Sequence, residues 1–189
     1  MFRRFLRLPG TPQGGSPGTS ALDSTVGETA TVRRIVARLE AMPADEARYL
    51  AGFAYVMSRA AHADLEISDA ETNAMERAVL ELGGLDEAQA VLVVQLAKLQ
   101  ARSHGETEDF VVTREFGRIA TNEQKLALLR CCFLVAVSDG SISAEEASVV
   151  NEIARELDVT RPDLNKVREE FVERFSAIQS MRRREQAAG

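Results

Sequence analysis

Apolar residues recur at intervals of three and four along most of the chain, and this spacing predicts helices. The first apolar face carries Val32, Ile35 and Leu39 and ends near Pro43. No stretch alternates apolar and polar residues for long enough to indicate a strand. The pattern therefore predicts an all-α fold, which we interpret as an orthogonal bundle of about eight helices.

Local residue signals mark several helix ends. The Gly83-Gly84 pair is typical of a helix C-terminus. Thr121 and Gln124 have the spacing of a capping box, in which two side chains satisfy free amide groups at a helix start. Thr160 is expected to cap a single last helix, whose inner face would carry Leu164, Val167, Phe171 and Phe175.

Composition divides the chain into three segments. Residues 1–23 combine a basic, apolar tip with a Pro/Gly/Ser-rich linker, residues 24–178 form the predicted helical domain, and residues 179–189 are a charged tail. The tip, residues 1–8, could give weak contact with a membrane surface, but so short a segment needs a second signal for stable anchoring. A disordered terminus is the alternative that we favour.

The net charge of −6 is unevenly distributed, because the tip carries three arginines and no acid. An acidic body argues against nucleic acid as a partner, since affinity for nucleic acid depends on neutralising phosphates. It suits cations or basic protein surfaces. No apolar run reaches the length of a membrane span, and the start of the chain lacks the apolar core of a signal peptide. We expect a cytoplasmic protein, membrane-associated only if the tip binds lipid.

One motif occurs twice. Aligning Asp64 with Asp139 places two copies of Asp-x-x-Ile-Ser-x-x-Glu, each between two predicted helices, opposite each other. Two such copies predict a pseudo-twofold repeat of helical hairpins that share a core. The matching positions are Asp64/Asp139, Ile67/Ile142, Ser68/Ser143, Glu71/Glu146, Glu81/Glu156 and Leu82/Leu157.

Helix capping is one interpretation of this motif. The serines are N-caps, the glutamates three residues later complete capping boxes, and the aspartates can bond to free amide groups. Gly140 permits a positive φ, which Leu65 in the first copy would adopt only at a cost. Capping alone accounts for each of these residue types.

Cation binding is the other interpretation. The run from Asp139 through Gly140 to Glu146 matches the second half of an EF-hand calcium loop. Val137 and Val135 stand where the first half needs oxygen ligands, which excludes an ordinary EF-hand. A cation site would require carboxylates from both copies to converge.

On this repeated motif the chain resembles the TerB family of tellurite-resistance proteins, over roughly residues 28–175. Related helical domains precede some membrane-anchored DnaJ-type co-chaperones. The resemblance implies a non-enzymatic role in bacterial stress complexes, protein partners, and a divalent cation such as Ca²⁺ on acidic side chains. Carried across, the candidate ligands are Asp139 and Glu146, then Asp64 and Glu71, with Glu66 and Glu145 as secondary candidates.

An enzyme is disfavoured by the residues themselves. His62 and His104 lie near predicted helix ends, and no phosphate-binding loop, nucleophile elbow or zinc-protease motif occurs. The two cysteines, Cys131 and Cys132, are adjacent on a predicted buried helix, where small buried hydrophobes are the usual role. Two functions stay open: a cation-binding stress-response scaffold, and a metal-independent adaptor of the co-chaperone type.

Overall fold

The structure of the protein is a computed structural model. It describes residues 30, 32–61, 69–101, 106–137 and 140–188. Side chains are described over the same ranges except at 69–71, 101, 106–109 and 187–188.

Helices account for nearly all of the described residues. None of these helices is both long and apolar enough to cross a lipid bilayer. In chain order they are α1 (32–41), α2 (Ala44–Ala60), α3 (Asp69–Glu81), α4 (Glu87–Ala101), α5 (Glu106–Ile119), α6 (Asn122–Ala136), α7 (Ala144–Glu156), α8 (Arg161–Glu170), a 3₁₀ turn (Val172–Arg174) and α9 (Ser176–Ala188).

The predicted all-α class is confirmed. Over the described ranges the backbone forms no strand, and extended pairing is limited to one isolated parallel bridge between Ile142 and Phe175. The chain divides into two units, Met1–Arg48 and Tyr49–Gly189, with the boundary inside α2. In the first unit Ile35 and Leu39 of α1 are buried, as the predicted apolar face requires.

Aromatic side chains organise the core of the second unit in two clusters. Phe53 of α2 meets Phe116 of α5 edge-on, with ring centroids 6.3 Å apart, and Tyr49 stacks on Phe116 at 5.3 Å. Phe133 of α6 stacks on Phe171 at 5.4 Å. Burying each such ring contributes about 2 kcal/mol, so these contacts fix how the helices pack.

The helices that flank the two motif copies occur in the predicted order. Helix α3 begins at Asp69 and α7 at Ala144, which the alignment of Asp64 with Asp139 places opposite each other, and each helix has 13 residues. The loop of the first copy lies outside the described residues. The pseudo-twofold relation between the two hairpins therefore stays a prediction.

The prediction of one continuous last helix is wrong. Helix α8 ends at Glu170, and a 3₁₀ turn and an extended residue, Phe175, precede α9. The main chain at this point bonds to a distant loop: the Arg174 carbonyl accepts from the Ile142 N–H at 2.8 Å, and the Ser176 N–H donates to the Ile142 carbonyl at 3.0 Å. Tertiary pairing thus overrides the helical periodicity that joins Phe171 to Phe175.

Candidate functional site

Only some of the predicted ligand residues lie among the residues that the structure describes. Glu146 is described in full in the first turn of α7. Asp64, Glu66 and Asp139 lie outside the described residues, as does the side chain of Glu71. The convergence of acids from the two copies is therefore not tested.

Ser143 and Glu146 form the predicted capping box. The Ser143 hydroxyl accepts from the Glu146 N–H at 3.1 Å, and a Glu146 carboxylate oxygen accepts from the Ser143 N–H at 2.7 Å. The secondary candidate Glu145 is exposed beside it. At least one oxygen of the Glu146 carboxylate is thus engaged in holding the helix start.

The second loop, residues 140–143, leads into this cap. Gly140 has a φ of +98°, the left-handed conformation expected for this glycine. Its N–H donates to the carbonyl of Val137, the C-cap residue of α6, at 2.7 Å. Ile142 is 1% exposed, so the loop is anchored by an apolar side chain in the core.

The C-terminal segment holds the other side of this loop. Besides the two main-chain bonds of Ile142, the Gln179 Nε2 donates to the Gly140 carbonyl at 3.3 Å and to the Glu173 carbonyl at 3.4 Å. Arg182 forms an ion pair with Glu173, with Nη2 at 2.6 Å from a carboxylate oxygen. Helix α9 and the second loop therefore share a network of polar contacts.

A buried ion pair joins three helices of the second unit. Arg59 of α2 donates through Nη1 to Glu156 of α7 at 2.5 Å and to the hydroxyl of Thr113 of α5 at 2.6 Å. The side chains of Arg59 and Glu156 are 12% and 4% exposed. A buried charge is tolerated only when it is paired and hydrogen-bonded, and this cluster meets that condition.

The two thiols lie in the core. Burial raises the pKa of Cys131 from its ordinary value of 9.0 to about 12, although the neighbouring Arg130 opposes the shift. Burial also raises the pKa of Cys132, well above its ordinary range. The Cys131 thiol donates to the Ala78 carbonyl at 3.2 Å. Both groups stay protonated near neutral pH, and a protonated, buried thiol is a poor nucleophile and a poor metal ligand.

An open groove runs between α8 and α9. Its wall includes the half-exposed Val172 together with Arg168, Phe175 and Ile178. The Arg168 guanidinium lies 5.5 Å from the centre of the Phe175 ring. The groove is lined by apolar side chains together with the polar or charged Asn165, Arg168 and Glu169.

The described residues provide little for a cation by themselves. Within these ranges no three His, Cys, Asp or Glu side chains come together as a ligand set. Among Asp139, Glu146, Asp64 and Glu71, Glu146 is the one whose side chain is described, and its carboxylate already accepts from the Ser143 N–H. In an EF-hand the terminal glutamate binds Ca²⁺ with both oxygens, so the oxygen that accepts from the Ser143 N–H would have to serve the helix cap and the cation together.

Sequence reasoning missed two features. The Arg59–Glu156 pair joins residues 97 apart, and no local pattern signals it. The capping box of α4 has a local signal, an Asp three residues before a Gln: Gln89 N–H donates to Asp86 at 2.8 Å, and Asp86 N–H donates to the Gln89 side chain at 3.1 Å.

The described helices and the capped second loop define an all-helical module. The sequence model of the family described as "Tellurite resistance protein TerB" matches residues 50–169, which is more than half of the 189-residue chain. The chain therefore belongs to the TerB family. No curated protein and no solved structure matches the chain at a significant level. The kinship with DnaJ-type co-chaperones stays a prediction.

Proposed function

We propose that this chain is a non-enzymatic, tellurite-linked stress-response module that works by binding other proteins. Membership of the TerB family supports the link to tellurite resistance. The observation that favours protein binding over a cation site is the engagement of Glu146, a candidate cation ligand, in the capping box of α7.

Two further sets of reactive groups are also engaged in the fold. The Arg59 guanidinium and the Glu156 carboxylate bond to each other, and both cysteine thiols are buried with raised pKa values. An acidic chain whose described helices carry exposed charged side chains is suited to binding basic protein surfaces.

Tellurite survival of a strain that lacks its own copy of the gene tests this proposal. A Cys131→Ala/Cys132→Ala variant is expected to restore survival as well as the wild type, and the same partner proteins are expected to co-purify with both. Circular dichroism establishes that the variant is folded. Loss of protection by a folded variant would indicate thiol chemistry and overturn the non-enzymatic proposal.

A second candidate function is binding of a divalent cation by Asp139 and Glu146, with Asp64 and Glu71 as the further ligands. The backbone of the second loop favours it, because Gly140 has the positive φ that the invariant glycine of a calcium loop needs for its sharp turn. Glu146 also stands at the position of the terminal glutamate of that loop.

Calorimetry separates this candidate from the first. The chelator-stripped chain is titrated with Ca²⁺, with Mg²⁺ and Zn²⁺ as controls, in parallel with the Asp139→Ala/Glu146→Ala variant. A cation-binding module gives saturable heat that the double substitution abolishes. Absence of heat with every ion would leave Glu146 as a helix cap and eliminate the second candidate.

A further inference from the structure

Helix α9 is attached to the second loop through its first turn. The Ser176 N–H donates to the Ile142 carbonyl at 3.0 Å. One turn later the Gln179 side chain donates to the Gly140 carbonyl at 3.3 Å. Both acceptors belong to the loop that carries the candidate cation site.

Apolar burial contributes little to the docking of α9. Of its described side chains none is buried: Ile178 is half-buried and Met181 is 58% exposed. A helix of 13 residues is marginal in water without tertiary packing. Segments with few buried apolar contacts open locally at a small free-energy cost.

The residues just before α9 are held much more firmly. Phe175 meets the fully buried Phe133 edge-on, with ring centroids 6.2 Å apart. Ile142 lies in the core, and its N–H donates to the Arg174 carbonyl, which precedes the helix. Opening can therefore begin directly after Phe175 without disturbing the core.

From this contrast we propose that α9 is a releasable strap over the second loop. While α9 is docked, it keeps the loop ordered and controls access to the carbonyls of Gly140 and Ile142. Gly140 and Ile142 flank Ser141, whose carbonyl corresponds to the main-chain ligand at position 7 of a calcium loop, so the strap would regulate cation binding. That last consequence rests on the second candidate function, whereas the strap itself does not.

Amide hydrogen exchange on the full-length chain tests the strap. The Ser176 N–H reports on docking of α9, and the Gly140 N–H, which donates to Val137 at 2.7 Å, reports on loop order. Gln179→Ala is expected to speed exchange at both amides by the same factor, roughly fivefold, which is what losing one net hydrogen bond gives. Gln186→Ala, at an exposed position on the same helix, is the matched control and should change neither.

Two results would overturn the proposal that α9 acts as a strap. Faster exchange at Ser176 with unchanged exchange at Gly140 would show that α9 opens without controlling the loop. Unchanged exchange at both amides would show that Gln179 does not hold the helix down.

Repeating the exchange measurement in Ca²⁺, together with calorimetry, distinguishes the strap proposal from the cation-binding function. If the loop binds Ca²⁺ and the two are coupled, Ca²⁺ changes exchange at Ser176 in the wild type, and Gln179→Ala changes the calorimetric affinity by a matching factor, because coupling is reciprocal. If Ca²⁺ gives heat of binding but does not change amide exchange at Ser176, α9 does not control cation binding. The second candidate function, cation binding itself, would then still hold. A Gln179→Ala effect on exchange without any heat would support the strap and eliminate the cation function.

Discussion

Arg59 and Glu156 form an ion pair across the interior of the second unit, with Nη1 2.5 Å from a carboxylate oxygen and the two side chains 12% and 4% exposed. Removing one partner of such a pair leaves an uncompensated buried charge. We expect Glu156→Leu to lower the free energy of unfolding by about 3 kcal/mol.

The Arg59→Met/Glu156→Leu double variant provides the control. It should lose less stability than Glu156→Leu alone, because no charge is left buried without a partner. Urea unfolding of the wild type, both single variants and the double variant measures this. A double variant that loses the sum of the two single effects would show that the pair is not coupled.

The buried thiols predict a loss of stability at alkaline pH. The pKa of Cys131 is raised by burial from 9.0 to about 12, and that of Cys132 is raised as well. Above pH 9 the unfolded chain loses these protons while the folded chain keeps them, so the free energy of unfolding falls as pH rises towards the folded-state pKa. Between pH 8 and pH 10 we expect a loss of roughly 2 to 3 kcal/mol from the two thiols.

Urea unfolding at the two pH values, for the wild type and for Cys131→Ala/Cys132→Ala, isolates this contribution. The variant should lose markedly less stability than the wild type. Tyr49 is present in both chains; its pKa is raised to about 12, first by burial and then by Cys131, so the part that is due to burial cancels. An equal loss in both would refute the assignment of the effect to the thiols.

Asp158 predicts a stabilising substitution. It follows Leu157, the C-cap of α7, and has a φ of +57°. The adjoining bonds, Val159 N–H to the Ala154 carbonyl and Asp158 N–H to the Arg155 carbonyl, form a Schellman motif. Glycine adopts this conformation without strain, so Asp158→Gly should raise the free energy of unfolding by about 0.5 to 1 kcal/mol. Asp158→Ala keeps the strain and should be less stable than the glycine variant. A higher melting temperature for the alanine variant than for the glycine variant would contradict this.

Local features of the fold were predictable, and long-range ones were not. The Thr121–Gln124 and Ser143–Glu146 capping boxes and the positive φ of Gly140 follow from residues within one turn of each other. The break before α9 depends on main-chain bonds to Ile142, far away in the sequence. Periodicity alone continues the helix through that point.

In the candidate site, too, the local features were predictable from the sequence and the long-range ones were not. The spacing of Ser143 and Glu146 predicts a capping box as well as half of a cation loop, and the structure confirms the box. Whether acids of the two copies converge depends on the packing of one hairpin against the other, which spacing does not encode. The buried Arg59–Glu156 pair is likewise a product of packing.

The role of Glu146 is tested most directly by urea unfolding of the wild type, Glu146→Gln and Glu146→Ala, each in chelator and in Ca²⁺. Glutamine can keep the capping bond, as Gln124 does in α6, where the Thr121 N–H donates to it at 2.8 Å. If Glu146 serves as a helix cap, Glu146→Gln should match the wild type within about 0.5 kcal/mol, Glu146→Ala should lose about 1 kcal/mol, and Ca²⁺ should change none of the three. Stabilisation of the wild type by Ca²⁺ that is lost in Glu146→Gln would contradict this account and establish the residue as a cation ligand.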